Sequence, residues 1–279
     1  MRAWLRPAVW TAAGVLAVLV ATTITLGVSA SGSSGDGSDG TGAGSAADGS
    51  GRVCERLAVP AYFSPPYWET AIHSKYPPAD MILNVSGAGA GKAPVPELQA
   101  LVKQARAAGI TVLGYSSTDE GKRPAAQVKA DVRDYAAWYG VTSIFLDRVS
   151  GQAPQVSYYK QLASYIHRAH RGAQVWLNPG VYPNQSYLSI GDVVMVFEGT
   201  YAQYLTAQVP GWANRYPADR FAHTIYATPG QVLAEALKLA QQRNAKHVYV
   251  TDLVGSNPYQ GLPSYWSAED ADAAAGCTG

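Results

Sequence analysis

The stretch from Ile110 to Asp147, "ITVLGYSSTDEGKRPAAQVKADVRDYAAWYGVTSIFLD", holds a complete strand, helix and strand. Its opening run "ITVLGYS" (110–116) is apolar and rich in strand formers. "PAAQVKADVRDYAAWYG" (124–140) then spaces its apolar residues by three and four and stops at a glycine. "TSIFLD" (142–147) is apolar again. That order predicts two parallel strands joined by a crossover helix.

Working outward, the same unit repeats. Further strand-like runs are "LAVPAYF" (57–63), "MILNV" (81–85), "AQVWLN" (173–178), "DVVMVFE" (192–198), "AHTIYA" (222–227) and "KHVYVTD" (246–252). Helix-like stretches lie between them at 94–109, 158–172 and 228–244. Eight βα units in about 225 residues predict a single-domain (β/α)8 TIM-type barrel of the α/β class. A doubly wound open sheet would place a G-x-G-x-x-G turn after the first strand, and none is there.

The barrel is expected over residues 53–279. Before it, Arg2 and Arg6 precede an uncharged apolar stretch from about Ala8 to Val28, so residues 1–30 read as an export signal. Both a cleaved signal peptide and a retained membrane anchor fit that length. Residues 31–52 are nearly all Gly, Ser, Ala, Asp and Thr and read as a flexible linker. Cys54 and Cys277 flank the domain, and in an oxidising compartment they are expected to form a disulfide that joins its ends. Extracellular placement, secreted or on the outer face of the membrane, follows.

A net charge of +1 with 15% charged residues excludes a nucleic-acid-binding surface of the ordinary basic kind. Eighteen Tyr against four Phe, with seven Trp, favour aromatic surfaces with a polar edge. The five histidines form no ligand set: His167 and His170 share a helix, while His73, His223 and His247 are scattered, so neither metal nor cofactor is expected. "SGAGAGK" (86–92) lacks the first Gly and the final hydroxyl of a phosphate loop and reads as a flexible loop over the barrel mouth. No G-x-S-x-G is present.

Every strand run carries a hydrogen-bonding group at or near its end: Tyr62, Asn84, Tyr115, Asp147, Asn178, Glu198, Tyr226 and Asp252. Functional residues of such barrels gather at that carboxyl-terminal face. Asp147 shares a strand face with Ser143 and Phe145, and Glu198 shares one with Val194 and Val196. If the helices cover the opposite face in each case, both carboxylates point into the mouth. Two converging carboxylates are what glycoside hydrolysis requires, one to protonate the departing oxygen and one to support charge at the sugar carbon. Asn84 and Asn178 suit sugar hydroxyls or an acetamido group, and Tyr62, Tyr115, Tyr201 and Tyr226 suit the apolar face of a sugar ring. Trp176 is expected in the barrel core. Asp252 fits either a substrate hydroxyl or a loop cap.

The blocks "VPAYFSPPYW", "LGYSSTDEGKRP", "DYAAWYGVTSIFLDRVS", "YYKQLASYI", "VWLNPGVYP", "DVVMVFEGTY" and "VYVTDL" resemble the spherulin-4 family, itself similar to glycoside hydrolase family 135. The resemblance runs from about residue 57 to 266. It implies a (β/α)8 barrel that hydrolyses galactosamine-containing exopolysaccharide, with acids after the fourth and sixth strands that fall on Asp147 and Glu198. Two positions depart: Arg148 stands where members carry a second acid, and Asn84 is followed by Val85 rather than Pro.

The leading expectation is a monomeric, exported, endo-acting glycoside hydrolase for an N-acetylgalactosamine- or galactosamine-containing polysaccharide. Glu198 is expected as the general acid, its pKa raised beside Phe197, and Asp147 as the ionised partner, its pKa lowered by Arg148. The alternative is a cell-surface, lectin-like barrel impaired in catalysis by Arg148.

Overall fold

The computed structural model describes residues 55–275. The stretches read as export signal and linker, and the expected disulfide pair Cys54 and Cys277, therefore lie outside the described residues. Among those described, no helix is long and apolar enough to cross a membrane.

Eight parallel strands close into a barrel in sequence order. They are β1 (Arg56–Ala61), β2 (Asp80–Leu83), β3 (Thr111–Ser117), β4 (Ser143–Asp147), β5 (Val175–Leu177), β6 (Val193–Thr200), β7 (Phe221–Tyr226) and β8 (His247–Val250). Closure comes from β1 pairing with β8, Arg56 opposite His247 and Leu57 opposite Val248. The predicted helices appear as α2 (Pro96–Ala107), α3 (Ala125–Tyr139), α4 (Val156–Ala169) and α6 (Leu233–Gln242), each with its apolar stripe on the strands. Three further helices carry no clear apolar period: α1 (Pro65–Ile72), begun by a proline, the six-residue α5 (Tyr201–Thr206), and α7 (Trp266–Ala275).

Alternation along each strand divides the interior in two. Ile82, Leu113, Tyr115, Phe145, Trp176 and Met195 belong to an inner layer that fills the barrel, so Trp176 is a core residue. Their neighbours along the strands, such as Leu83, Ile144, Leu146, Val175 and Leu177, form a larger layer beneath the helices. The inner packing leaves the strand ends at one rim to carry polar groups.

One strand breaks the alternation, and it is the one that carries Glu198. Val194 and Val196 belong to the outer layer, so strict alternation would turn Glu198 outward with them. Instead β6 slips against β7: Met195 pairs with Ala222, but Phe197 pairs with His223 and Glu198 with Thr224. Val196 is the extra residue of a β-bulge, a device that re-aims a side chain, here in a parallel pair. Phe197 now faces outward with its ring 4.6 Å from that of Tyr204, and Glu198 faces inward. The side-by-side inward placement of Asp147 and Glu198 is thus due to a bulge that the amino-acid pattern does not announce.

Gly199 makes room for the bulge. A Cβ there would lie 2.9 Å from the Phe197 ring and 3.0 Å from Oε1 of Gln203. That oxygen accepts the Thr200 backbone N–H in the capping box of α5. Gly199→Ala should therefore cost about 1–3 kcal/mol through overpacking, read as a lower denaturation midpoint, and should disturb Glu198 more than Asp147.

Candidate active site

At the carboxyl-terminal rim, β4 and β6 present Asp147 and Glu198 across β5, and the residue just past β5 is Asn178. Its amide nitrogen donates to Oδ1 of Asp147 at 2.8 Å and to Oε2 of Glu198 at 2.6 Å. The carboxylates' other oxygens each accept from a phenol. Tyr115 donates to Oδ2 of Asp147 at 2.7 Å, and Tyr259 donates to Oε1 of Glu198 at 2.6 Å. Asn178 is 6% exposed, and its carbonyl oxygen is buried with no partner among the described residues. Because ionised carboxylates only accept, the amide must face them with its nitrogen.

The two acids and Asn178 line a narrow cleft together with Tyr62, Thr224 and Tyr259. Asp147 is 5% exposed. Burial pushes its carboxyl up from 3.8 to about 6, with the Glu198 charge adding to the rise. Hydrogen bonds from Tyr115, the Arg148 backbone and Asn178 act against it.

This overturns the expected electrostatics. The Arg148 guanidinium does not reach Asp147: it pairs with Asp119 at 2.7 Å, both side chains nearly half exposed. Arg148 takes a left-handed backbone, φ 52°, which turns its side chain out along the rim. Only its backbone N–H helps Asp147. Arg123 is also committed elsewhere, to Asp131 at 2.7 Å. Phe197 lies on the opposite face of β6 from Glu198 and so supplies no apolar setting for it.

The remaining candidates divide. Tyr62 lines the cavity, and Tyr226 stands near enough that the Glu198 charge, after burial, raises its phenol. Tyr115 sits beneath, as the donor to Asp147. Asn84 is occupied within its own loop, accepting the Gly87 N–H at 2.7 Å. Tyr201 begins α5 and hydrogen-bonds Glu235 of α6, outside the cavity lining. Asp252 is the loop cap, accepting from the Ser264 hydroxyl at 2.5 Å and its N–H at 3.1 Å. Nor is the 86–92 loop a flexible cover. Arg123 and the Ser117 N–H both donate to the Ala88 carbonyl, and a Cβ on Gly89 would collide with the Asp131 carboxylate at 2.2 Å. Among the described residues, no group of three or more His, Cys, Asp or Glu could hold a metal ion.

Residues 56–271 match the model of the "Spherulation-specific family 4". The chain belongs to that family. A curated relative, Spherulin-4 of Physarum polycephalum, is 30% identical over 239 residues, covering 77% of this chain and 68% of that protein. Among solved structures, Aspergillus clavatus Sph3, crystallised in complex with GalNAc, superposes with a TM-score of 0.66 at 24% identity, over 80% of this chain and 98% of that one. A GH18 chitinase from Pseudoalteromonas aurantia superposes at 0.52 with 11% identity, over 78% and 99%. The chain therefore shares its barrel fold with these two solved structures.

Tyr259 carries no signal in the sequence. It lies past the last strand in "SNPYQG" (256–261), where neither alternation nor a strand end marks it.

The raised Asp147 carboxyl has a consequence for stability. Its folded pKa, about 6, exceeds its ordinary 3.8. Its ionisation therefore opposes folding, an effect absent below pH 3.8 and complete above pH 6. The stability of Asp147→Asn relative to wild type should therefore be greater at pH 8 than at pH 4, by on the order of 1–3 kcal/mol from denaturation curves at the two pH values.

Proposed function

We propose that this spherulin-4 chain is an exported, endo-acting glycoside hydrolase that cleaves a galactosamine- or N-acetylgalactosamine-containing exopolysaccharide through Asp147 and Glu198. The observation that carries the reading is the pair of carboxylates bridged by one amide nitrogen in a cavity at the barrel mouth. The GalNAc bound by the related Sph3 supports the sugar class. Export rests on Arg2, Arg6 and the apolar stretch after them, whether cleaved or kept as an anchor. The chain acts as a monomer on this reading.

The roles divide by environment. Asp147, held protonated up to about pH 6 by burial, suits the general acid. Glu198 then serves as the ionised group beside the anomeric carbon. This reverses the division expected from Arg148 and Phe197, because neither side chain reaches its carboxylate. The two oxygens sharing the Asn178 nitrogen lie 2.8 and 2.6 Å from it, so they are within about 5.4 Å of each other. That suits direct attack at carbon with retention better than the wider gap an inverting enzyme keeps for water. Tyr62 and Tyr226, both partly exposed, are left to meet the sugar.

Glu198→Gln and Asp147→Asn should each lower the release of reducing ends from galactosaminogalactan by about 10²–10⁴-fold. Wild-type activity should fall as pH rises through about 6, where Asp147 loses the proton it must donate. Undiminished cleavage by both variants would defeat the assignment.

A second reading, a polysaccharide-binding barrel without turnover, is favoured by Arg148 standing where the family's second acid is expected. It predicts binding of the same polymer with no new reducing ends at any protein concentration.

A further inference from the structure

Nearly every residue lining the cavity stands on a barrel strand or within one residue of its end, and Tyr259 alone does not. It comes from the segment between β8 and α7, which is fastened rather than loose. Asp252 and Ser264 clasp its base, Asn257 accepts the Tyr259 N–H at 3.1 Å, and Tyr249 donates to the Gly261 carbonyl at 3.4 Å. Tyr259 is 6% exposed. Its ring meets Tyr62 edge-on at 5.7 Å, and Tyr62 meets Tyr115 edge-on at 5.6 Å. Three tyrosines thus run in sequence from one carboxylate to the other, with a phenol donor at each end.

We propose that Tyr259 is a positioning residue for Glu198, holding Oε1 by its hydroxyl as Tyr115 holds Oδ2 of Asp147. The reading rests on the hydrolase assignment for its consequence but not for its geometry. Ring packing alone would be served equally by phenylalanine. The hydroxyl adds a 2.6 Å hydrogen bond to a carboxylate in a low-dielectric cavity, where such a bond favours the charged form. With Tyr259 on one oxygen and Asn178 on the other, the Glu198 side chain is fixed at both ends of its carboxylate. An ionised group meant to face developing positive charge requires that fixation, since misplacement by about 1 Å costs about 10²-fold.

The experiment is Tyr259→Phe in the full chain, with Tyr115→Phe as comparator. Carbon-13 NMR of the Asp and Glu carboxyls follows titration without substrate, while kcat and KM are measured on galactosaminogalactan. Losing either phenol removes a donor that favours the doubly ionised pair, so the upper of the two titration midpoints should rise by on the order of one pH unit in each variant. In Tyr259→Phe, kcat should fall about 10–100-fold with KM within about twofold. A thermal midpoint close to wild type would show the loop still seated. If that variant unfolds the loop, Tyr259→Trp, which keeps a ring and an N–H donor, should restore part of the titration shift. An unmoved titration in Tyr259→Phe overturns the role, whatever the activity. Should the wild type cleave no polymer while the titration still moves, the hydrolase reading falls and the coupling of Tyr259 to Glu198 stands.

Discussion

Two carboxylates within reach of one another repel, and at a site as buried as Asp147 and Asn178 that repulsion is weakly screened. The amide of Asn178 is what lets them stay: it places one hydrogen on each. Tyr115 and Tyr259 then occupy the outer oxygens. The remaining imbalance is not cancelled by a cation, since the Arg148 and Arg123 guanidinium groups are paired elsewhere. Burial raises the carboxyl of Asp147, and this repulsion from Glu198 adds to the rise. A site neutralised by arginine would be more stable and would lack a proton to give at mildly acid pH. The absence of a salt bridge is thus part of what the pair can do.

That arrangement depends on backbone placement. Asp147 arrives by plain alternation on β4, and Asn178 by the first turn beyond the three-residue β5. Glu198 arrives through the slip at Val196. The outward turn of Phe197 onto Tyr204 and His223 gives the bulge an apolar anchor, and Gly199 leaves the space for it. At the opposite rim, a buried Asp80 accepts from His247 at 3.1 Å across the β1 and β8 closure, which joins the barrel where its ends meet. One end serves closure and the other serves the site, the division usual in such barrels.

The strand and helix periods made the barrel legible, because burial on both faces of a parallel sheet forces apolar runs of matching length. Strand ends made Asp147, Glu198, Asn178 and Tyr62 legible for the same reason. What stayed hidden is what period and spacing do not encode. A bulge changes the face of Glu198 without changing composition. A left-handed φ at Arg148 sends its charge away from the residue beside it in sequence. Asn84, Tyr201 and Asp252 have the right types at the right places, but local partners take them up. Tyr259 lies in a segment whose path is set by tertiary contacts alone.

Position 148 also reads differently in three dimensions. Asp119, Glu120 and Arg148 all adopt left-handed backbones where β3 and β4 end, with φ of 48°, 56° and 52°. Such non-glycine conformations cost on the order of 1–2 kcal/mol each and persist only where contacts over-determine them. Here the Thr118 hydroxyl donates to the carbonyls of Asp147 and Arg148, and the Glu120 N–H donates to the Arg148 carbonyl at 2.8 Å. In that frame the side chain at 148 meets Asp119, so a glutamate in its place would face a like charge while an arginine forms a pair. Arginine at this position is therefore consistent with the rim it sits on, and it leaves the four hydrogen bonds on Asp147 and Glu198 untouched. The departure from the family pattern belongs to the lip of the barrel rather than to the carboxylate pair beneath it.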